Sequence, residues 1–345
     1  MGSEMCIRDR EYLMLNTQSP TIRRLLMFWL PLLMLILVAG YASQLRYNPT
    51  REAKNGLDRL NYWRKQAGVQ PLAQQSSLHK AAQNHARYLT QDAHGHDERN
   101  RDNPHFTGME LGERTTAAGY TAPASENLTV GRLARSGTRS VDGLMTALYH
   151  RLSLLNPTQD EAGAAWTRGA YQAFVVVQGR SSYRDLCENG SRQPTPGVVL
   201  TLSCNNQPSK IYLGNRDLPS YKMAIKFPMG NQVESVYDGS EIPNPMPQYK
   251  QTGNPISIVL HQHNHVVMKS FQLFAPDGEV QKTHILTASN DPNHLLEDNE
   301  FALFPIEPLA FDTEYRVKFA YRYENQDKVE EWMFKTRPKR HWLEF

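Results

Sequence analysis

Residues 77–89 read SLHKAAQNHARYL, and their small and apolar side chains repeat at the spacing of an α-helix. Positions i, i+3, i+4, i+7, i+8 and i+11 place one stripe on a single helix face, which is typical of a helix packed against a core. The stripe consists of Leu78, Ala81, Ala82, His85, Ala86 and Leu89. We expect Ser76 or Ser77 to cap this helix, and His85 to be a core histidine rather than a ligand.

Two further helices are predicted on either side of this one. Leu57, Leu60 and Trp63 mark a short helix that ends near Gly68. A third helix, residues 140–155, carries its apolar side chains on one face and stops at Asn156-Pro157.

On this third helix, His150 points about 160° away from the leucine stripe. Two interpretations stay open. The face of His150 is exposed to solvent, or the small residues Gly143 and Ala147 form the floor of a cleft into which His150 projects.

The composition bounds the class of protein. The 345 residues are 40% hydrophobic with a net charge of +3, which fits about two globular domains and argues against a disordered chain. The near balance of charge gives no electrostatic reason to expect nucleic acid as a partner.

The N-terminal part predicts export. Residues 1–10, which include MCIRDR, resemble a translated sequencing adapter and are left out of the fold prediction. Arg23-Arg24, an apolar run over residues 25–40 and the small-x-small sequence of residues 40–42 form an export signal over residues 23–42. It is either cleaved after Ala42 or retained as a membrane anchor, so the domains are expected outside the cytoplasm, in a periplasmic, extracellular or membrane-anchored protein.

The predicted export favours a disulfide between two of the cysteines. Cys187 and Cys204 are 17 positions apart and flank a segment rich in turn residues. In an oxidising compartment we expect a disulfide between them, and the alternative is two buried thiols.

The pattern changes after Cys204, where turn residues separate short β-branched and aromatic runs and no long helical stripe occurs. Earlier strands are predicted at residues 173–177 and 198–202. Later strands are predicted at residues 256–260, 266–274, 301–304, 315–321 and 331–335. They indicate an all-β sandwich over residues 209–345, with a domain boundary near residues 207–209.

Several motifs of the first domain occur in a characteristic order. They are LDRLNYWRKQAGVQPL, SLHKAAQNHARYL, a histidine-containing loop, RTTAAGY, SENLTVG, VDGLMTALYHRLSLLNP and EAGAAW. In this order, residues 52–205 resemble the bacterial, SCP-like branch of the CAP superfamily, which unites cysteine-rich secretory proteins, antigen five and pathogenesis-related proteins. The resemblance implies an α+β fold, a three-layer α-β-α sandwich with a wide cleft lined by two histidines and two glutamates.

The resemblance assigns three residues to that cleft. The loop histidine matches His96, with His94 as the alternative register. The glutamate of the E-N motif matches Glu126, and the helix histidine of the H-R pattern matches His150.

The fourth cleft position stays open. The Gly-His-Phe/Tyr-Thr motif of animal and plant members is absent from this sequence, and Glu98 and Glu161 are the remaining candidates.

Three chemistries suit these side chains. They could line a polar cleft that binds a lipid, glycan or peptide of the cell envelope or the surroundings. They could hold zinc or another divalent cation, as in a metal-dependent hydrolase of peptide or cell-wall material. Glu126 could also act as a general base. The sequence offers no covalent nucleophile, so an enzyme is the less favoured interpretation.

The second domain adds a histidine cluster and a weaker resemblance. His261, His263 and His265 share one face of an extended segment and form either a copper or zinc site or a polar turn. Residues 308–315, PLAFDTEY, and the pattern W-x-F-x-T over residues 332–336 resemble immunoglobulin-like or fibronectin-type modules. A further alternative is therefore a structural surface protein that acts through this domain.

Overall fold

The computed structural model describes residues 27, 29–38, 48–190, 193–219, 221, 223–261 and 266–340. The chain divides into residues 1–48 and a compact unit of residues 49–345. In the first unit, residues 29–38 are helical with exposed side chains. Residues 1–10, Arg23-Arg24 and the predicted cleavage site at residues 40–42 lie outside the described residues. Within the described ranges, no helix combines the length and the apolar character needed to cross a membrane.

The compact unit begins with an α/β region, residues 49–214, in which helices and strands are mixed. Its elements are α1 (Pro49–Gln66), β1 (Ala73–Gln74), α2 (Ser76–Leu89), α3 (Leu111–Ala118), β2 (Ala124–Val130), α4 (Gly137–Thr146), α5 (Leu148–Leu154), β3 (Glu161–Arg168), β4 (Gln172–Gly179), α6 (Ser181–Asn189), β5 (Val198–Cys204) and β6 (Gln207–Gly214). A short 3₁₀ helix, Gly131–Ala134, follows β2.

A four-stranded sheet in the order β1-β3-β4-β2 forms the middle layer. Side chains alternate between the two faces of β4, so Phe174 and Val175 point in opposite directions. Val175 packs in one core cluster with Leu78 of α2, whereas the ring of Phe174 lies directly over Gly56 of α1. Helices therefore cover both faces, and the α-β-α layering expected from the sequence is present.

The stripe on α2 is buried as predicted, including His85, but the helix is capped differently. Gln75 occupies the N-cap position, and its side-chain oxygen accepts the amide N–H of Leu78 at 2.8 Å. The serines that the sequence favoured as caps lie inside the first turn, because the helix starts one position earlier than a Ser76 cap requires and two positions earlier than a Ser77 cap requires.

The predicted helix over residues 140–155 is two helices. Ala147 is extended, with ψ of 122°, and separates α4 from α5. The amide N–H of His150, in the first turn of α5, is bonded to the carboxylate of Glu241, a residue 91 positions further along the chain. A distant side chain thus caps α5, which is why the apolar pattern of the helix did not reveal the break.

The β5–β6 hairpin crosses the boundary predicted near residues 207–209. β6 pairs along its length with β5, and Ile211 and Leu213 join the core cluster that contains Leu78. The disulfide between Cys187 and Cys204 ties this hairpin to α6. The α/β region therefore extends to Gly214.

The β region, residues 223–340, contains the remaining strands. They are β7 (Met223–Phe227), β8 (Gly230–Val233), β9 (Val236–Tyr237), β10 (Thr252–Gly253), β11 (Ile256–His261), β12 (Val267–Ala275), β13 (Gly278–Glu279), β14 (Thr283–Leu286), β15 (Glu300–Pro305), β16 (Glu314–Tyr323) and β17 (Gln326–Thr336). The two larger sheets have the orders β14-β15-β11-β7 and β13-β12-β16-β17-β8.

These two sheets meet through aromatic side chains. Phe301 of β15 and Phe319 of β16 have ring centroids 5.2 Å apart. Along β16, Tyr315, Val317, Phe319 and Tyr321 are all buried, as expected of alternate residues on the core face of a strand. Glu324 and Asn325 both adopt positive φ and close a two-residue hairpin turn between β16 and β17. The predicted fold class, a mixed α and β domain followed by an all-β region, is confirmed.

Candidate functional site

A cavity of about 500 Å³ opens beside β2, α4 and α5, and the α/β and β regions both contribute to its wall. We call it the main cavity. Its lining residues are Ala93, His94, Gly95, His96, Asp97, Arg99, Leu128, Thr129, Val130, Gly143, Leu144, Thr146, Ala147, His150, Asp238, Ser240, Glu241 and Ile242.

His96 lies on the wall and is held from below by Glu126. The ring nitrogen Nδ1 is 3.0 Å from Glu126 Oε1. The His96 side chain is 50% exposed, whereas the Glu126 side chain is 2% exposed. The glutamate is therefore a support for the histidine and contributes no lining surface to the cavity.

A buried charge cluster surrounds that glutamate. Arg114 of α3 donates from Nη2 to Glu126 Oε1 at 2.8 Å, and His85 of α2 lies 3.7 Å from the same oxygen. The other nitrogen of His85 is 3.0 Å from Glu98, which also accepts the amide N–H of Thr107. Burial alone would raise the pKa of Glu126, but His85, His96 and Arg114 together keep it below its ordinary value. Glu126 is therefore a carboxylate at neutral pH.

His150 has a carboxylate partner of its own, and that partner comes from the β region. Its Nδ1 is 2.7 Å from Glu241 Oε1, which also accepts the backbone N–H of His150 at 2.9 Å. Glu241 has a fully buried side chain, and the His150 side chain is 17% exposed.

His96 and His150 line the same cavity but contact different glutamates. The direction of the side chains along β2 explains why Glu126 does not reach His150. Successive residues of β2 face opposite sides of the sheet. Glu126 contacts side chains of α2 and α3, whereas Asn127 donates to Ser153 of α5 at 3.1 Å. Glu126 therefore points away from the helix that carries His150.

In both histidines the same ring nitrogen, Nδ1, contacts a carboxylate. A carboxylate has no hydrogen to donate, so the ring nitrogen that contacts it must be the N–H donor. The hydrogen of neutral His96 and of neutral His150 is therefore on Nδ1, and Nε2 is an acceptor. Neither Nε2 has a hydrogen-bond partner in the described part of the chain. When both rings are neutral, the main cavity is therefore lined by two histidines whose Nε2 is an acceptor without a partner among the described residues.

The comparisons with known proteins match part of the α/β region to one family. The model of the CAP family, described as the cysteine-rich secretory protein family, matches residues 57–179. These residues are a CAP domain. A comparison with curated proteins gave no match.

Solved structures of three bacterial proteins are similar to part of this chain. An outer surface protein of Borrelia burgdorferi is 20% identical, with 39% of this chain and 96% of that chain covered and a TM-score of 0.33. An extracellular protein containing a SCP domain from Bacillus anthracis is 19% identical, with 38% and 41% covered and a TM-score of 0.33. A cysteine-rich secretory protein from Staphylococcus aureus is 20% identical, with 39% and 40% covered and a TM-score of 0.30. The matches span less than half the length of the second and third of these chains.

The other predicted cleft residues, His94, Glu98 and Glu161, lie in three different places. His94 lies on the wall of the main cavity beside His96. Glu98 is fully buried in the cluster beneath, as the partner of His85. Glu161 lies elsewhere in the CAP domain, where it accepts from Tyr120 at 2.8 Å and pairs with Arg184.

The residues proposed as metal ligands do not form a ligand set. No three His, Cys, Asp or Glu side chains among the described residues are grouped as a metal ion requires, and His96, Glu126 and His150 are all described. The oxygen of Glu126 that faces His96 already accepts from the guanidinium of Arg114 at 2.8 Å. A divalent cation at that oxygen would be repelled by the fixed positive charge, so this donor set does not fit zinc.

The histidines of the second domain are only partly described. His261 ends β11 and lines a cavity of about 290 Å³ together with Glu297 and Glu300. His263 and His265 lie outside the described residues, so the predicted cluster stays a prediction.

Three residues important to the site were missed in the sequence. Glu241 lies 91 positions from His150, and no local pattern distinguishes it from other glutamates. Arg114 is 1% exposed, but only the motif RTTAAGY pointed to its segment. Arg151 was noted only as part of the H-R pattern, and its complete burial could not be read from the apolar stripe.

Proposed function

We propose that this protein is an exported binding protein whose main cavity holds a small amphipathic molecule of the cell envelope or the surroundings, one with hydroxyl groups on an apolar body. The observation that carries the proposal is the pair of imidazoles that line one cavity, each held by its own buried carboxylate, with Nε2 lacking a partner among the described residues. The reaction chemistry of a hydrolase has no comparable support.

Size and lining favour a ligand of this class. Small-molecule sites are commonly about 300–1,000 Å³, and the main cavity is about 500 Å³. Apolar surface comes from Leu128, Val130, Leu144 and Ile242. A hydroxyl donor satisfies an acceptor Nε2, and an alkyl body covers the apolar residues, so a hydroxylated lipid matches both surfaces.

Export has two supports in the chain. The disulfide between Cys187 and Cys204 is typical of proteins that fold in an oxidising compartment. The apolar run over residues 25–40 follows Arg23-Arg24, as in an export signal or membrane anchor. The β region, proposed as an immunoglobulin- or fibronectin-like module, then presents the CAP domain at the surface.

The test is a calorimetric titration of the full chain with 1-octanoylglycerol, whose glycerol head carries two free hydroxyls. Methyl octanoate is the matched control, since it keeps the acyl chain and lacks hydroxyls. We expect stoichiometric binding of 1-octanoylglycerol and at least about tenfold weaker binding of methyl octanoate, the loss of one to two hydrogen bonds.

His96→Phe and His150→Phe keep a ring in place and remove its nitrogens. Each variant should weaken 1-octanoylglycerol about tenfold and leave methyl octanoate nearly unchanged. Equal binding of the two compounds, or wild-type affinity in both variants, would contradict the proposal. Binding of an N-acetylated sugar dimer or a short peptide in place of 1-octanoylglycerol would replace the lipid with a glycan or peptide ligand.

A further inference from the structure

We propose that the β region is part of the binding site itself, with Glu241 as the residue that positions His150 for the ligand. The inference rests on the proposed function for its ligand. The resemblance that identified His96, Glu126 and His150 concerned the CAP domain alone and assigned nothing to Glu241.

Glu241 controls both the position and the proton of His150. One oxygen, Oε1, accepts the backbone N–H at 2.9 Å and the ring Nδ1–H at 2.7 Å. The first contact fixes the start of α5, and the second fixes the ring and leaves Nε2 as the acceptor. His96 receives the equivalent support from Glu126, so the cavity contains two histidine–glutamate pairs, one of which is completed by the β region.

The second oxygen of Glu241 is an unused acceptor. Oε2 is buried and has no hydrogen-bond partner in the described part of the chain, although Glu241 belongs to the cavity wall. A buried carboxylate oxygen without a partner costs free energy unless a donor reaches it. Because the side chain of Glu241 is fully buried, this oxygen offers no surface to the main cavity, and Glu241 acts on a ligand through His150.

The segment around Glu241 also supplies apolar cover. Asp238, Ser240 and Ile242 line the same wall, and Ile242 is 87% exposed. An exposed isoleucine beside a cavity offers surface for the alkyl body of a ligand. The polar and apolar contacts of the ligand therefore both involve the β region.

Hydrogen bonds from residues of α5 hold the two regions together beside the main cavity. Arg151, next to His150, is fully buried and donates to Asn254 and to the carbonyl oxygen of Pro255 at 2.6 Å each. Tyr149, on the other side of His150, donates its hydroxyl to Asp291. Three consecutive residues of α5 thus contact the β region, and His150 is the one that faces the cavity.

The test compares Glu241→Met with Tyr149→Phe in the full chain. Methionine keeps the length of Glu241 but has no acceptor oxygen, so it no longer fixes the proton of His150 on Nδ1. Tyr149→Phe removes two hydrogen bonds between the same two regions, to Asp291 and from Asn293, and Tyr149 does not line the cavity. Calorimetric titration with 1-octanoylglycerol measures binding, and ¹⁵N chemical shifts of the histidine rings measure the tautomer without ligand.

We expect Glu241→Met to weaken the binding of 1-octanoylglycerol at least tenfold and to move His150, but not His96, toward the Nε2–H tautomer. Tyr149→Phe should bind within about twofold of wild type. An unchanged His150 tautomer in Glu241→Met, or equal weakening by both variants, would overturn the inference. If wild type fails to bind while Glu241→Met still changes the His150 tautomer, the proposed function fails and the positioning role of Glu241 stands.

Discussion

Arg151 is a buried charged residue that joins the CAP domain to the β region. Its guanidinium is fully buried, stacks over the ring of Phe227 at 4.5 Å and donates to Met145, Pro255 and Asn254. Burial lowers the pKa of Arg151 to about 9, so it stays charged at neutral pH. A buried charge of this kind is tolerated only while its acceptors remain in place.

Arg151→Ala should lower the free energy of unfolding by about 3–5 kcal/mol, because it leaves several buried acceptors unpaired and removes packing. Urea denaturation measures the change. Arg99→Ala is the control: Arg99 has a side chain 73% exposed, and its loss should change the free energy of unfolding by about 0.5 kcal/mol or less. A similar small change in Arg151→Ala would show that the contact does not hold the regions together.

Glu300, at the start of β15, should make stability depend on pH. Burial raises the pKa of Glu300 to about 7, from an ordinary value of 4.5. Between these values the folded protein binds more protons than the unfolded chain, so the free energy of unfolding falls as pH rises through this window. The total effect is about 3–4 kcal/mol, at about 1.4 kcal/mol per pKa unit, and about 2–3 kcal/mol of it falls between about pH 5 and pH 8.

Glu300→Gln should remove this part of the pH dependence while keeping an acceptor for the amide N–H of Glu297. Urea denaturation at pH 5 and pH 8 is the measurement. The difference in the free energy of unfolding, variant minus wild type, should be about 2–3 kcal/mol larger at pH 8 than at pH 5. A constant difference between variant and wild type would contradict a raised pKa at Glu300.

The resemblance carried by short motifs assigned His96, Glu126 and His150 to one cleft. In the structure His96 and His150 line the main cavity, and Glu126 contacts His96. The partner of His150 could not be found, because Glu241 reaches it through the docking of two regions. Residue type and spacing carry information about one element at a time and not about such contacts.

At the scale of elements, small residues set the distance between α1 and α4. A Cβ at Gly137, the first residue of α4, would lie 1.8 Å from the carbonyl oxygen of Glu52 and 2.8 Å from the amide nitrogen of Gly56, both in α1. A Cβ at Gly143, on the same helix, would meet nothing within 4 Å. Substitution of Gly137 therefore tests the close packing of the two helices, whereas substitution of Gly143 tests helix propensity alone.

Gly137→Ala should lower the free energy of unfolding by about 3 kcal/mol or more, because backbone atoms cannot move aside cheaply. Gly143→Ala should raise it by about 0.5–1 kcal/mol, since alanine is the better helix former. Thermal and urea denaturation of both variants check the pair. If Gly137→Ala were as stable as wild type, the helices could not be in the described contact.

Helices and strands were predictable wherever the pattern that defines them is local. The buried stripe of α2 and the alternation along β16 are of this kind. The break at Ala147 was missed because residues on both sides of it, such as Leu144 and Leu148, are buried and continue one apolar pattern. The strand β6 was not predicted, and it lies at and beyond the boundary predicted near residues 207–209, because its partner β5, and not its own composition, places it.

For the whole molecule, the main cavity depends on the docking of the two regions. A shared apolar cluster contains Ala147 and Leu148 of the CAP side and Tyr237, Met246 and Phe304 of the β region. This cluster lies next to the polar contacts of α5, so packing and hydrogen bonds hold the same interface. The sequence indicated two regions and a cleft, but the shared wall arises only when both are folded.

The most direct test of the account is an anomalous diffraction map of the protein crystallised with 1-octanoylglycerol that carries bromine at the end of its acyl chain. We predict one bromine peak in the main cavity, with the glycerol oxygens within hydrogen-bond distance of Nε2 of His96 or His150 and the chain against Ile242. A peak in the cavity beside His261 and Glu300, or no peak at saturating probe, would contradict it.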